Sequence, residues 1–92
     1  MIYAVKLKMR SGCRYSNNLL EIDEIYLEGC KDPGYYKKAV IHDFLKSNPG
    51  AVKVKIWPYP DLIPATSPYS EKYVKSTPDS YRDDDLLDLP RE

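Results

Sequence analysis

Asp32-Pro-Gly-Tyr-Tyr-Lys-Lys-Ala-Val-Ile-His-Asp-Phe-Leu-Lys-Ser-Asn-Pro-Gly-Ala-Val-Lys-Val-Lys-Ile-Trp57 is the stretch that decides the fold. Asp32-Pro33 reads as a helix N-cap followed by proline at the first helical position, where its missing N–H costs nothing. Across residues 33–47, Tyr36, Val40, Ile41, Phe44 and Leu45 share one helical face, while Tyr35, Lys38, His42 and Lys46 share the other. Asn48-Pro49-Gly50 stops the helix. From residue 51 to 57 the alternation becomes that of a strand: Val52, Val54 and Ile56 face one way, and Lys53, Lys55 and Trp57 the other. An amphipathic helix running directly into a half-buried strand predicts a helix laid on a sheet.

Upstream, residues 2–10 alternate in the same manner, with Tyr3, Val5, Leu7 and Met9 inward and Lys6, Lys8 and Arg10 outward. Residues 11–18, with Gly12 and Asn17-Asn18, read as a loop. A second strand falls within 19–28; its apolar phase slips between Ile22 and Ile25, which implies a bulge near Asp23-Glu24 or a loop leading into a shorter strand. Downstream, residues 58–71 carry Pro58, Pro60, Pro64 and Pro68, a density that predicts an extended loop without regular structure. Residues 72–76 form a last short strand. The expected fold is α+β: an antiparallel sheet of three to four strands in the order ββαββ, with one helix on one face and an acidic C-terminal tail. Residues 1–78 form the domain, including the proline-rich loop, and residues 79–92 form the tail. Val52, Val54, Ile56, Phe44 and Val5 are the predicted core.

The C-terminal tract has its own order. Tyr73, Val74, Lys75 and Ser76 lead to Pro78 and Asp79, and then to Asp84, Asp85, Leu86, Leu87, Leu89 and Pro90. This tract resembles a bacterial and phage family of small domains, domain of unknown function 3892. There a Tyr-Leu-Arg-Thr-like strand passes through a Pro-Asp turn to Asn-Asn-Leu-Leu-x-Leu-Pro; aspartates stand here in place of the asparagines. The resemblance implies a small ordered fold, encoded by a bacterium, phage or mobile element, and carries no established chemistry.

Ninety-two residues suffice for one sheet-plus-helix core. Lys and Arg equal Asp and Glu at 14 each, but residues 1–57 hold ten basic against six acidic side chains, and residues 58–92 four against eight. The two parts attract each other or meet separate partners. No stretch approaches a membrane span, Met1 runs straight into a strand without a leader pattern, and no membrane partner is expected. Cys13 and Cys30 lie at opposite ends of the expected hairpin, beyond disulfide reach. Two reduced thiols suit a cytoplasmic setting.

With the first and third strands in one sheet, Lys6, Lys8, Arg10, Lys53 and Lys55 project from the face opposite the helix, and Trp57 ends the stripe. Cations beside aromatic faces suit a nucleotide or a single-stranded nucleic acid. An open antiparallel face is polar in any case, and no nucleic-acid motif accompanies the stripe. The acidic tail could also fold over this face with its leucines between lysine stems, within one chain or between two copies as a homodimer. Tyr59 and Tyr69 flank the proline segment as rigid contact material. Together with Asp84, Asp85, Leu86 and Leu87, which resemble an acidic-dileucine peptide, they are the candidate partner contacts. His42 is the sole histidine and is expected on the exposed helix face; no nucleophile–base spacing or phosphate loop is present, so no catalysis, metal or cofactor is expected. The expected function is a non-catalytic binding module, a protein-binding inhibitor or adaptor, with nucleotide or nucleic-acid binding as the alternative.

Overall fold

In a computed structural model, residues 1–57, 59–77 and 85–92 are described. Among the described residues, six strands, one α-helix and two 3-10 turns follow in order: β1 (Ile2–Met9), a turn at Leu19–Glu21, β2 (Ile22–Glu28), β3 (Gly34–Lys37), α1 (Lys38–Ser47), β4 (Val52–Val54), β5 (Leu62–Thr66), β6 (Lys72–Ser76) and a turn at Asp85–Asp88. The α+β class holds, with one helix on a small sheet. That sheet is mixed, in the order β3-β2-β1-β4. β1–β2 and β2–β3 are antiparallel, whereas β4 joins β1 in parallel through Ile2↔Val52 and Ala4↔Val54. β5 and β6 form a separate two-stranded hairpin.

Two bulges set the faces. Lys8 pairs with Glu24 and Met9 with Ile22, so Asp23 is the extra residue; of the bulge or loop that the phase slip allowed, the bulge forms. A second lies in β1, where Ala4 pairs with Leu27 and Lys6 with Tyr26. The skipped residue is Val5, which is half-buried; Ala4 takes its place in the core, while Leu7 and Met9 are buried as their alternation requires. Tyr3, also read as inward, turns outward with Lys53 as its neighbour.

The helix is shorter than its periodicity implies. Gly34–Lys37 adds to β2 as a fourth strand, with Tyr35 opposite Tyr26, and the two rings stack edge to face at 5.1 Å. Aromatic cross-strand pairing outweighs the Asp-Pro helix start. α1 therefore begins at Lys38, without a side-chain cap, and ends where both the N–H and the side-chain amide of Asn48 donate to the Phe44 carbonyl at 2.9 Å. It packs on the hairpin as well as on the sheet, which rotates its buried stripe to Lys38, Ile41, His42 and Leu45. His42, expected outside, is 1% exposed; Phe44, expected inside, is 40% exposed and Val40 56%.

The proline segment also corrects the expectation of a structureless loop. β5 runs through Pro64, which pairs with Val74 in an isolated two-stranded ladder. Neither strand of such a ladder is flanked on both sides, so a residue without an N–H is tolerated. The core is one cluster joining the sheet (Leu7, Ile22, Ile25), helix (Ile41, Leu45), β4 (Val52, Val54), hairpin (Leu62, Val74) and tail (Leu86, Leu87, Leu89). The tail leucines thus enter the main core instead of covering lysine stems. Beyond them the chain joins β1: the Leu7 N–H donates to the Pro90 carbonyl at 2.8 Å and the Glu92 N–H to the Leu7 carbonyl at 2.9 Å.

Candidate interaction surfaces

The alternation of β1 and the parallel pairing of β4 bring Lys6, Lys8, Lys53 and Lys55 to the sheet face away from the helix. Each meets a partner there. Lys6 lies 4.8 Å from the Tyr26 ring centroid, and Lys8 is 3.8 Å from Glu24. Lys53 contacts Asp61 at 2.6 Å and Lys55 contacts Glu28 at 2.8 Å. The Glu28 hydrogen bond, more than any other effect, raises the Lys55 pKa. Arg10 leaves the stripe and binds Glu71 at 2.7 Å. Three of the four stripe lysines are thus in local ion pairs and Lys6 lies over an aromatic ring, which leaves a reduced field for a polyanion. Tyr35 lies beside it, its buried hydroxyl without a hydrogen bond of normal geometry among the described residues; burial, and then the Glu92 carboxylate, push its pKa up to about 12.

The end of the stripe has a different character. After β4 the chain bends, with the Ile56 N–H donating to Val54 at 2.9 Å and the Tyr59 N–H to Ile56 at 2.6 Å. Tyr59 is held at φ +62°, a region that non-glycine residues seldom occupy. Its ring forms the middle of an aromatic string: Trp57–Tyr59 at 6.0 Å and 88°, Tyr59–Tyr3 at 6.1 Å and 63°. Lys55 sits 5.7 Å from the Tyr3 ring centroid. Trp57 is nevertheless 76% exposed. Tyr69, at the hairpin tip between β5 and β6, is 93% exposed and is not part of this string. Leu86 and Leu87 are 0% and 9% exposed, so a partner cannot reach them in this fold. Asp84 and the side chain of Asp85 lie outside the described residues.

On the helix side, Ile2, Leu27, Tyr36, Val40, Ile41 and Phe44 line an apolar groove of about 170 Å³. Sequence reasoning missed it because it placed Val40 and Phe44 in the core.

Periodicity also passed over an ion cluster built on a buried lysine. Lys38, 7% exposed, donates to Glu71 at 2.6 Å and to the Leu20 carbonyl, and Arg10 binds the same carboxylate. The Lys38 hydrogen bond is the leading cause that holds the Glu71 pKa below its ordinary value. The signal available was that Glu71 is the sole acidic residue between 62 and 78. His42 reaches the Tyr73 carbonyl at 3.0 Å through Nδ1, which must carry the proton because a carbonyl only accepts. Glu21 accepts from the Cys13 thiol at 2.7 Å and from Ser16; that bond to Glu21 is the main cause that raises the Cys13 pKa. Cys13 and Cys30 are both free. Among the described residues no three His, Cys, Asp or Glu side chains converge as metal ligands, and no helix is long and apolar enough to cross a membrane.

No protein family, curated protein or solved structure matches this chain.

Proposed function

We propose that this protein is a small non-catalytic binding module that acts stoichiometrically on a partner protein, as an inhibitor or adaptor, with Trp57 as its anchor. The observation that carries this reading is a large aromatic side chain, 76% exposed, braced edge to face by Tyr59 on a hydrogen-bonded turn. A braced aromatic loses little rotamer entropy on contact, which is why Trp and Tyr dominate interface hot spots. Tyr59 at positive φ is held in a sparsely populated conformation, as often happens where a loop presents a contact. The bacterial, phage or mobile-element setting implied by the tail resemblance, and a cytoplasmic location, belong to the same proposal.

The alternative, an anionic nucleotide or single-stranded nucleic acid, draws on Lys53 and Lys55 beside the same aromatics. Their engagement with Asp61 and Glu28 weighs against it, because a phosphate would have to displace a carboxylate at each.

Two measurements separate the readings. Trp57→Ala should keep the thermal melt, since the side chain is exposed, and should lose a partner that immobilised wild-type protein retains from host lysate. Nucleotides and oligonucleotides at low salt should leave Trp57 fluorescence unchanged, and Lys53→Glu with Lys55→Glu should leave partner retention largely intact. A salt-sensitive quench by oligonucleotides, abolished by the charge reversal, would overturn the protein-partner reading.

A further inference from the structure

The loop after β1, the hairpin and the C-terminal turn meet around an open recess of about 640 Å³. Residues 16–20 form one wall, and Tyr73 of β6 and Leu87 of the last turn complete it. The volume lies within the roughly 300–1,000 Å³ of small-molecule sites, and neither Trp57 nor the lysine stripe takes part.

The walls are held from behind. The Ser16 hydroxyl donates to Glu21 and accepts the Asn18 N–H at 3.0 Å, and the Asn18 Oδ1 accepts the Leu20 N–H at 3.0 Å. Lys38 donates to the Leu20 carbonyl and His42 to the Tyr73 carbonyl. Arg91 ties the carbonyls of Ser16 and Leu87 together at 2.7 and 2.9 Å. One guanidinium thus fixes the loop wall against the tail wall, so the recess is formed before any ligand arrives.

What faces the recess is neutral. No Lys, Arg, Asp or Glu lines it, and Glu21, Lys38 and Arg91 behind it are engaged with the protein itself. The Asn17 amide and the Tyr73 hydroxyl have no partner among the described residues, and the bond to Asn18 uses its oxygen and leaves its NH2 group free. Leu19, Leu20 and the Tyr73 ring supply the apolar remainder. A ligand matched to this lining is uncharged, carries groups that donate and accept at once, and offers an apolar face as well. Phosphates, carboxylates and ammonium compounds fail the first condition, because they would lose hydration without gaining a counter-charge. A pyranose ring meets all three, with hydroxyls around its rim and C–H groups on its faces. Two vicinal hydroxyls suit one Asn amide, whose oxygen accepts from the first while its NH2 donates to the second.

We propose that this recess is a binding site for a neutral saccharide of one or two sugar rings, with Asn17, Asn18 and Tyr73 as its hydrogen-bonding residues. Binding is weak, because in an open site with uncharged hydrogen bonds water is a close competitor. The site is separate from the Trp57 contact and does not depend on it.

The test is a titration of the isotope-labelled full chain, followed by amide chemical shifts. The probes are glucose, galactose, mannose, N-acetylglucosamine, maltose and cellobiose, each to about 50 mM, above the millimolar range of weak specific binding. At least one should give saturable shifts at residues 16–20 and 73, with a dissociation constant of about 0.1–10 mM. That constant should change by less than about twofold between low and high salt, since no ion pair forms. Asn17→Ala and Tyr73→Phe each remove one partnerless group. Both should keep the thermal melt, and each should weaken binding by about two- to tenfold, the effect of one lost neutral hydrogen bond. Trp57→Ala should bind the sugar as wild type does. No saturable shift with any of these sugars overturns the proposal. So do shifts centred outside the recess, an affinity indifferent to both variants, and a preference for phosphorylated glucose or adenosine over every neutral sugar.

Discussion

Gly29 closes the turn after β2 at φ +82°, and a Cβ at that position would overlap the Met1 carbonyl oxygen. Gly29→Ala therefore meets both backbone strain and a collision with main chain that has no side-chain rotamer to yield. It should destabilise by at least about 2 kcal/mol, read as a lower urea midpoint with an unchanged slope. Glu71 gives a second expectation. Its carboxyl titrates below its ordinary value, chiefly through the Lys38 hydrogen bond, so the folded state favours the ionised form. Such a group stabilises fully above its unfolded pKa, and the contribution is lost as pH falls through the lower folded value. Glu71→Gln should thus lower the melting temperature at neutral pH, and the gap from wild type should close as the solution is acidified below the unfolded value of 4.5. Lys38 and His42 explain why the helix face was misread in the sequence. Hydrophobic periodicity counts them as outward, yet Glu71 and the Leu20 and Tyr73 carbonyls satisfy their polar ends inside. A buried polar group with a partner leaves no mark in a pattern of apolar spacing.

At the level of elements, legibility followed how local the deciding interaction was. The alternation of Val52 and Val54 pointed to β4, although the strand ends at Val54 and not at Trp57, and the phase slip pointed to a bulge or a loop near Asp23-Glu24, of which the bulge formed; both signals are written in neighbouring residues. β3 was hidden because Tyr35 and Tyr36 suit a helix face as well as a strand, and the choice rests on Tyr26 in another element. β5 was hidden because the prolines argue against a strand in general but not against one in a two-stranded ladder. Val54 is 0% exposed, between β1 and the hairpin. Val54→Asp buries a carboxylate with no counter-charge designed for it, at several kcal/mol against a total of about 5–15 kcal/mol, and should leave the chain unfolded at room temperature by circular dichroism. The contact surfaces were legible only in part. Trp57 could be read as outward from its strand phase, whereas the ion pairs of the lysine stripe depend on Asp61 and Glu28 arriving from other segments.

For the whole molecule, the C-terminal segment is a structural part. Leu86, Leu87 and Leu89 belong to the one core, and Arg91 donates to the carbonyls of Arg14, Ser16 and Leu87 at 2.9, 2.7 and 2.9 Å. Leu86→Ala, at a site 0% exposed, should cost about 2–5 kcal/mol by calorimetry or chemical unfolding, far more than an accessory peptide would. The opposite charges of the two parts of the sequence find a use here as well: Lys53–Asp61, Lys38–Glu71 and Arg10–Glu71 each join a basic residue before 58 to an acidic one after it. The union of the chain end with β1 should also slow folding. β1 and β2 are near neighbours in sequence, but the bond from Arg91 to Arg14 spans 77 residues, and the entropy of that closure is lost before any of its contacts return it. A chain whose last residues had not docked would leave the Leu7 main chain without its tail partner and the sites of Leu86, Leu87 and Leu89 unfilled, so slow docking should coincide with exposure to aggregation.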